Sequence, residues 1–534
     1  MIEKYYSGVI EQIYNRIGKE TRNIVMANYS NDFSIENLEV IRRYQSNEDN
    51  VFFAYSEFSY NTLVGAYEPF LDIICNMHRR FIGGSFDDFQ KECGVYYLHR
   101  QVLNSYYETG ECFREETVLL NEVAYEQRRM TMAIADMLKR LSEVRPLMIV
   151  INRFQMASKS SIETIKYLID NPCANIGIVL GVNAIVKGAD STVEVWDRIV
   201  ESLEDRSAIY YIGSAGPLKN NIKTTNDDEL YITMNFEQSI QEASNIMEFL
   251  DYEQARRGCR IIEHKIKFEN AWIDEKSLRR FYLVYARTSV LLGEMSKAIE
   301  LMNEYKALIP ENDSEHYFSL YYFMKGTCYM YQGKLEKAEG CAKKAYDYAL
   351  LADDELLEFK SELLSVMIKM SGWYNIFFCV QDIPVSDEII EKLIKHGYRN
   401  HLAHIYIYAY DNSRDVVKQS FYDESLLKHF TKGLELAKEI GNEQLVYDAY
   451  QKTIMLASTS GLNEIAFLYV IRTYEFMKGH GNIYVARVLT SIGYNLSAMG
   501  KNELVDNYYN AAINMLYYLK LPEDIAEVYY NKSL

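Results

Sequence analysis

Two rhythms of apolar residues divide the chain. Over the first 215 residues five short apolar runs stand out: 22–27 (RNIVMA), 51–56 (VFFAYS), 147–152 (LMIVIN), 176–183 (IGIVLGVN) and 208–215 (AIYYIGSA). They are rich in Val, Ile and Tyr and do not alternate apolar with polar, the pattern of strands buried on both faces of a parallel sheet. Helix-length amphipathic stretches lie between them, notably 126–143 and 160–170. The second opens on Ser160 or Ser161 as N-cap, with Glu163 near the third helical position. Strands alternating with helices predict a parallel sheet covered on both sides. From about Asn235 the strand-like runs cease, and amphipathic helices of about 12–16 residues follow one another across short turns.

That second part repeats. Small residues recur at Ala298 and Ala338, 40 apart, and at Ala466 and Val505, 39 apart. Gly293, Gly333, Gly461 and Gly500 each fall five residues before them, in the turn between paired helices. Gly326 and Gly493 fall twelve before, where the first helix of a pair approaches the second closely. With Tyr329, Ala345, Ala512 and Pro310, these positions resemble tetratricopeptide repeats, most clearly over 321–350 and 491–516. The stretch 361–432 is less regular. Its 88 residues from Ala338 to Leu426 fit two units plus an insertion, with 382–387 (DIPVSD) as an irregular connection. About seven helix pairs are expected from 237 to 534, and 522–534 reads as the opening helix of a further pair or as a cap.

Composition narrows the class. With 57 Lys+Arg against 75 Asp+Glu the net charge is −18, and 49% hydrophobic and 25% charged residues describe a folded globular chain. Such acidity argues against a surface built to hold nucleic acid or anionic membrane. No run reaches the length of a membrane span and the amphipathic N-terminus is no signal peptide, so a cytoplasmic protein is expected. Its eight cysteines are scattered without a CxxC pair and read as reduced, buried small residues.

The first strand of a nucleotide-binding parallel sheet runs into a phosphate-binding loop, GxxxxGK[ST], whose amides and lysine hold phosphate and whose hydroxyl holds magnesium. Here the strand runs instead through Ala27 to Asp32, Phe33 and Ser34. Glycine and lysine are missing and an aspartate would repel phosphate. Ser34 remains able to cap a helix over IENLEVIRRY.

The run from Glu126 through Arg145, Pro146 and the strand 147–152 to Ser161 resembles the Walker B region of STAND-class signalling ATPases, an AAA-related family. Tyr67, Pro69 and Phe70 are similar to that family's Y-x-P-F helix, and Asn183 falls near its sensor position. The resemblance covers roughly residues 5–220. It implies a P-loop-NTPase-like sheet, yet Asn152 and Arg153 stand where the family has two magnesium-holding acids, and Ser158 where it has a later Asp. The family's winged-helix segment is also missing, since helical repeats start almost directly after Pro217-Leu218.

Other constellations carry less. His396, His401 and His404 lie close together without a further ligand at zinc spacing. Cys112 sits in an acidic setting that raises a thiol pKa. Tyr282, Tyr322 and Tyr406 are candidates for a solenoid groove, weighed against a packing role.

The fold expected is therefore α/β plus all-α: a degenerate STAND-like domain over 1–235, then a tetratricopeptide-like solenoid over 236–534. The function expected is non-enzymatic signalling or scaffolding, with a protein, peptide or small ligand bound by the solenoid and no cofactor, metal, nucleic acid or membrane. The alternatives are the sensory half of a bacterial regulator whose output domain lies beyond Leu534, and an atypical NTPase.

Overall fold

The computed structural model describes residues 2–30, 33–36, 38–46, 50–59, 63–114, 118, 120, 123–183, 186–187, 193–212, 223–224, 235–268, 273–312, 314–374, 386–408, 424–478, 482–519 and 522–533. It is mostly helical with a small five-stranded parallel sheet and a separate two-stranded pairing of 186–187 with 223–224, and falls into two compact units, Met1–Ser314 and Glu315–Leu534.

In the first unit, strands β1 (Ile24–Tyr29), β2 (Phe52–Glu57), β3 (Leu147–Asn152), β4 (Ile176–Asn183) and β5 (Ile209–Ile212) form a sheet of order β2-β3-β4-β1-β5 with all pairs parallel. Every residue of β3 and β4 is buried, as non-alternating runs require. Both lie where the apolar runs predict them. The first strand begins at Ile24 rather than residue 22 because Asn23 fastens the preceding turn, its amide donating to Glu20 O (2.6 Å) and Ala174 O (3.2 Å). The run 208–215 is strand only to Ile212, and 213–215 lie outside the described residues.

Helix α1 (Ile2–Arg16) buries Tyr6, Val9, Ile10 and Ile13, spaced as one helical stripe, against this sheet. It lies over β4, where Gly177 and Gly181 point to the same face. A Cβ at Gly177 would stand 2.8 Å from Ile17, and one at Gly181 would collide with the Tyr6 hydroxyl and the Asn152 amide. These two glycines let α1 reach the sheet.

Around the sheet follow α2 (Glu39–Ser46), α3 (Phe70–Met77), α4 (Phe86–Glu92), α5 (Tyr97–Thr109), α6 (Val123–Val144), α7 (Lys159–Asp170) and α8 (Val193–Glu204). The N-cap of α7 is Ser158, whose hydroxyl accepts from Ser161 N–H, and not Ser160 or Ser161 as expected. Ser160 is engaged elsewhere: its hydroxyl accepts from Tyr67 N–H at 3.0 Å and its own N–H donates to Asp251 at 3.1 Å.

Helices α9 (Phe236–Glu248), α10 (Tyr252–Phe268), α11 (Glu275–Leu291) and α12 (Met295–Ala307) complete this unit, so the junction expected at 235/236 falls inside it. Buried polar contacts join α9 and α10 to the sheet domain. Arg114 donates to Glu248 O (2.9 Å), Gln254 to Val64 O (3.0 Å), and Asn245 pairs with both Cys112 N–H and Gly110 O.

The second unit is helical throughout its described residues: α13 (Glu315–Tyr331), α14 (Leu335–Leu351), α15 (Glu355–Tyr374), α16 (Asp387–Lys395), α17 (Arg399–Tyr408), α18 (Glu424–Ile440), α19 (Glu443–Thr459), α20 (Asn463–Met477), α21 (Asn482–Ala498), α22 (Asn502–Leu519) and α23 (Pro522–Ser533). Neighbours pack in sequence order, among them α13 with α14, α19 with α20 and α21 with α22. Gly333, Gly461 and Gly500 close the turns of these three pairs with φ of 71°, 75° and 72°, which glycine adopts without strain. Gly493 is needed for close approach, since a Cβ there would stand 2.8 Å from the Tyr509 ring. Of the irregular connection, residues 382–385 lie outside the described residues, and Ser386 caps α16 through Ile389 N–H.

Candidate functional site

In an open parallel sheet, ligands bind outside the carboxyl ends of the strands where the strand order reverses. Here β1 lies between β4 and β5, and the chain leaves it in opposite directions for β2 and, from β4, for β5. The ends of β1, β3 and β4 meet at this edge. Tyr29 is the register partner of Asn183, and Asn152 ends the neighbouring strand. The sequence candidates therefore converge: Ala27 is buried within β1 beside Gly181, and Asn152 and Asn183 are buried at the strand ends. Asp32 lies outside the described residues.

The edge is occupied by the protein itself. The Tyr29 hydroxyl donates to Asn152 Oδ1, and Asn152 Nδ2 donates to Phe33 O at 2.8 Å. The Phe33 ring meets Tyr29 at 4.8 Å and Tyr6 at 5.3 Å, both edge-on. Asn183 N–H donates to Gln155 Oε1 at 3.4 Å. Burial, with Glu57 nearby, raises the Tyr6 hydroxyl pKa far above its ordinary value, so it stays neutral.

Ser34 does not cap the next helix. That helix starts only at Glu39, and the Ser34 hydroxyl donates to Glu57 Oε2 at 2.8 Å while Ile35 N–H donates to the same oxygen at 3.0 Å. The other oxygen of Glu57 pairs with Arg153 at 2.9 Å, and Arg153, with φ of 55°, also donates to Phe58 O. Sequence reading missed Glu57. A carboxylate closing the second strand, beside an arginine closing the third, was the available signal.

Chemically, a fixed carboxylate sits where main-chain N–H and hydroxyl donors would otherwise face an anion. The Asn152 amide and the paired Arg153 that close the third strand offer no negative charge to a cation.

The tyrosine candidates divide. Tyr282 is half-buried on α11, 5.4 Å from Phe281, and burial raises its pKa. Tyr322 stacks on Tyr348 at 5.7 Å, with the Lys344 ammonium 5.1 Å from its ring. Tyr406 is buried in the core of α15–α17 with Phe359, Leu363 and Tyr398, the packing role weighed against the groove role. His396 stacks on Phe359 and His404 on Tyr408, and among the described residues no group of His, Cys, Asp and Glu is placed to hold a metal. Cys112 has its thiol pKa raised chiefly by burial, with Glu248 and Glu242 adding to it.

Within the second unit, α19, α21, α22 and α23 enclose a cleft of about 350 Å³. Its walls include Tyr447, Gln451, Arg487, Tyr494, Asp524 and Glu527. No tyrosine expected in the groove lies here. The missed signal was periodic. Tyr447, Arg487 and Glu527 are spaced by 40 residues, as are Gln451, Ser491 and Asn531, so the cleft is built from repeat-equivalent positions. Direct bonds tie the three first helices of these pairs: Ser491 Oγ to Gln451 Oε1 at 3.5 Å, and Arg487 Nε to Asp524 at 2.8 Å.

No protein-family model and no curated protein matches the chain. Among solved structures it is similar to a Rap protein complexed with Competence and Sporulation Factor, at 13% identity and a TM-score of 0.39 over 55% of this chain and 79% of that one. NprR in complex with its cognate peptide NprX matches over 56% and 82%, at 13% identity and a TM-score of 0.38. A signal transduction ATPase with numerous domains and a tetratricopeptide repeat sensor, from Pyrococcus horikoshii, matches over 95% and 83%, at 12% identity and a TM-score of 0.27. Superpositions this loose carry no functional argument for this chain. No helix among the described residues is long and apolar enough to cross a membrane.

Proposed function

We propose that this is a non-catalytic signalling or scaffold protein, in which helical repeats bind a protein or peptide and an α/β domain of P-loop-like layout has lost ATP–magnesium chemistry. The observation that carries the reading is the Glu57 carboxylate on Ile35 N–H and the Ser34 hydroxyl. A phosphate reaching that place would meet a negative charge already paired with Arg153, and would have to displace it. The Asn152 amide is consumed by Tyr29 and Phe33 and offers a metal no charge. The strand order supports the P-loop-like layout, since it brings the ends of β1, β3 and β4 together. The repeats support recognition, since stacked helix pairs build extended binding surfaces.

The test is calorimetric titration with ATP and ADP, with and without magnesium, beside a thermal-shift measurement. Neither heat nor stabilisation is expected at millimolar nucleotide. Micromolar binding would stabilise the fold by about 4 kcal/mol at a thousandfold excess over Kd, and would overturn the reading.

A further inference from the structure

The cleft of the second unit has features that ordinary repeat packing leaves unexplained. Gln451, Ser491 and Asn531 form a row of amide and hydroxyl groups across α19, α21 and α23 at 40-residue intervals. The Gln451 amide nitrogen is buried with no hydrogen-bond partner among the described residues. Leaving a buried donor unmet is costly, and a carbonyl oxygen in the cleft would remove that cost. The terminal torsion of Gln451 is soft enough to turn the amide toward one. A peptide main chain supplies such oxygens at regular intervals. Neighbouring helix axes lie about 10 Å apart, a step that about three extended residues cover.

The charge of the cleft is one-sided. Arg487 is bonded to Asp524, and Glu527, exposed at the same wall, adds to the negative field on Arg487 without forming an ion pair among the described residues. The lining thus carries one positive and two negative side chains, inside a chain of net charge −18. Both the local balance and the long-range field favour a cation over an anion. Tyr447 and Tyr494, the latter 45% exposed, add aromatic surface that suits an aliphatic stem or a cationic head. The volume, about 350 Å³, is at the small end of ligand sites and suits a stretch of extended chain.

We infer that the cleft between α19, α21 and α23 takes an extended peptide segment bearing a lysine or arginine, with Glu527 as the counter-charge and Gln451 donating to the peptide main chain. This rests on the recognition role proposed for the repeats.

The test is retention of three randomised heptapeptide pools on the immobilised full chain. The pools, acetylated and amidated, differ only at the central residue, which is Lys, Glu or Leu. Seven extended residues reach about 23 Å, two steps of the helix row. The expected result is a several-fold preference for the Lys pool. That preference disappears in Glu527→Gln, and retention falls about three- to tenfold in Gln451→Leu. Thermal unfolding of both variants is compared with the parent, so that loss of fold is not read as loss of binding. Preference for the Glu pool, or a Lys preference that survives Glu527→Gln, overturns the charge assignment and leaves the recognition role standing. Retention of every pool no better than by Ser491→Trp, whose indole fills the cleft, overturns the inference itself. Nucleotide binding in the calorimetric titration would instead strike the broader reading.

Discussion

The carboxyl edge of the sheet and the cleft of the last helices are made from the same kinds of residue, yet they end in opposite states. At the sheet edge Glu57 holds Ser34, Ile35 N–H and Arg153, and Asn152 joins Tyr29 to Phe33, while the Tyr6 hydroxyl and Gln155 Nε2 have no hydrogen-bond partner among the described residues. In the cleft, Gln451 keeps an unmet donor, and Glu527, which faces Arg487 without an ion pair, leaves two carboxylates against one guanidinium among the described residues. Polar residues at a plausible ligand position therefore say little alone. What separates the two regions is the carboxylate: Glu57 is already spent on an arginine inside the fold, and a carboxylate without an ion pair is the one that gains more from a cationic ligand.

The largest effect that would break this contrast is expected at Tyr29. Tyr29→Ala removes a fully buried ring and the partner of Asn152, and should cost about 3–5 kcal/mol of stability in urea unfolding. A loss below about 1 kcal/mol would mean that the edge is not packed as described.

The next effect has the opposite sign. Burial, helped by Glu68 and Asp72, pushes the Glu242 carboxyl up to about 7. A group whose folded pKa is raised contributes stability below its unfolded pKa, near 4.5, and loses it as pH rises through about 7. Glu242→Gln should therefore stabilise the protein by about 1–3 kcal/mol at pH 8, with the gain shrinking toward pH 5. A gain independent of pH would sink this account.

At the sheet edge, Glu57→Gln weakens the contacts to Ser34, Ile35 and Arg153 and should cost about 1.5–3 kcal/mol in thermal or urea unfolding. Smallest is Gly461→Ala. It places a Cβ at φ of 75° in the turn between α19 and α20, for about 1–2 kcal/mol measured the same way. An unchanged midpoint there would contradict the left-handed turn.

Much of this architecture was legible before folding was considered. Runs without alternation mark strands buried on both faces, so LMIVIN and IGIVLGVN could be placed to the residue. The turn glycines were legible because only their φ values demand glycine. Caps were less so. Ser158, Ser160 and Ser161 are all adequate caps locally, and the choice among them fell to Tyr67 and Asp251, which take Ser160. Ser34 shows the same limit, since Glu57 competes for its hydroxyl. Of the groove tyrosines, which were read by residue type without the repeat phase, Tyr406 packs into the core while Tyr282 and Tyr322 stay half-buried. The 40-residue spacing applied to polar positions leads to 447, 487 and 527 instead of Tyr406, which packs into the core.

The chain by itself determined the elements, the sheet-then-helices order and the repeat period, because these follow from local periodicity and backbone freedom. Which polar groups would be consumed and which left open was decided only by the tertiary structure. Strand order brings residues 34, 57 and 153 to one edge, and stacking brings 451 and 491 side by side. A hydrogen bond depends on ångström distances between residues far apart in sequence, and spacing along the chain does not contain them.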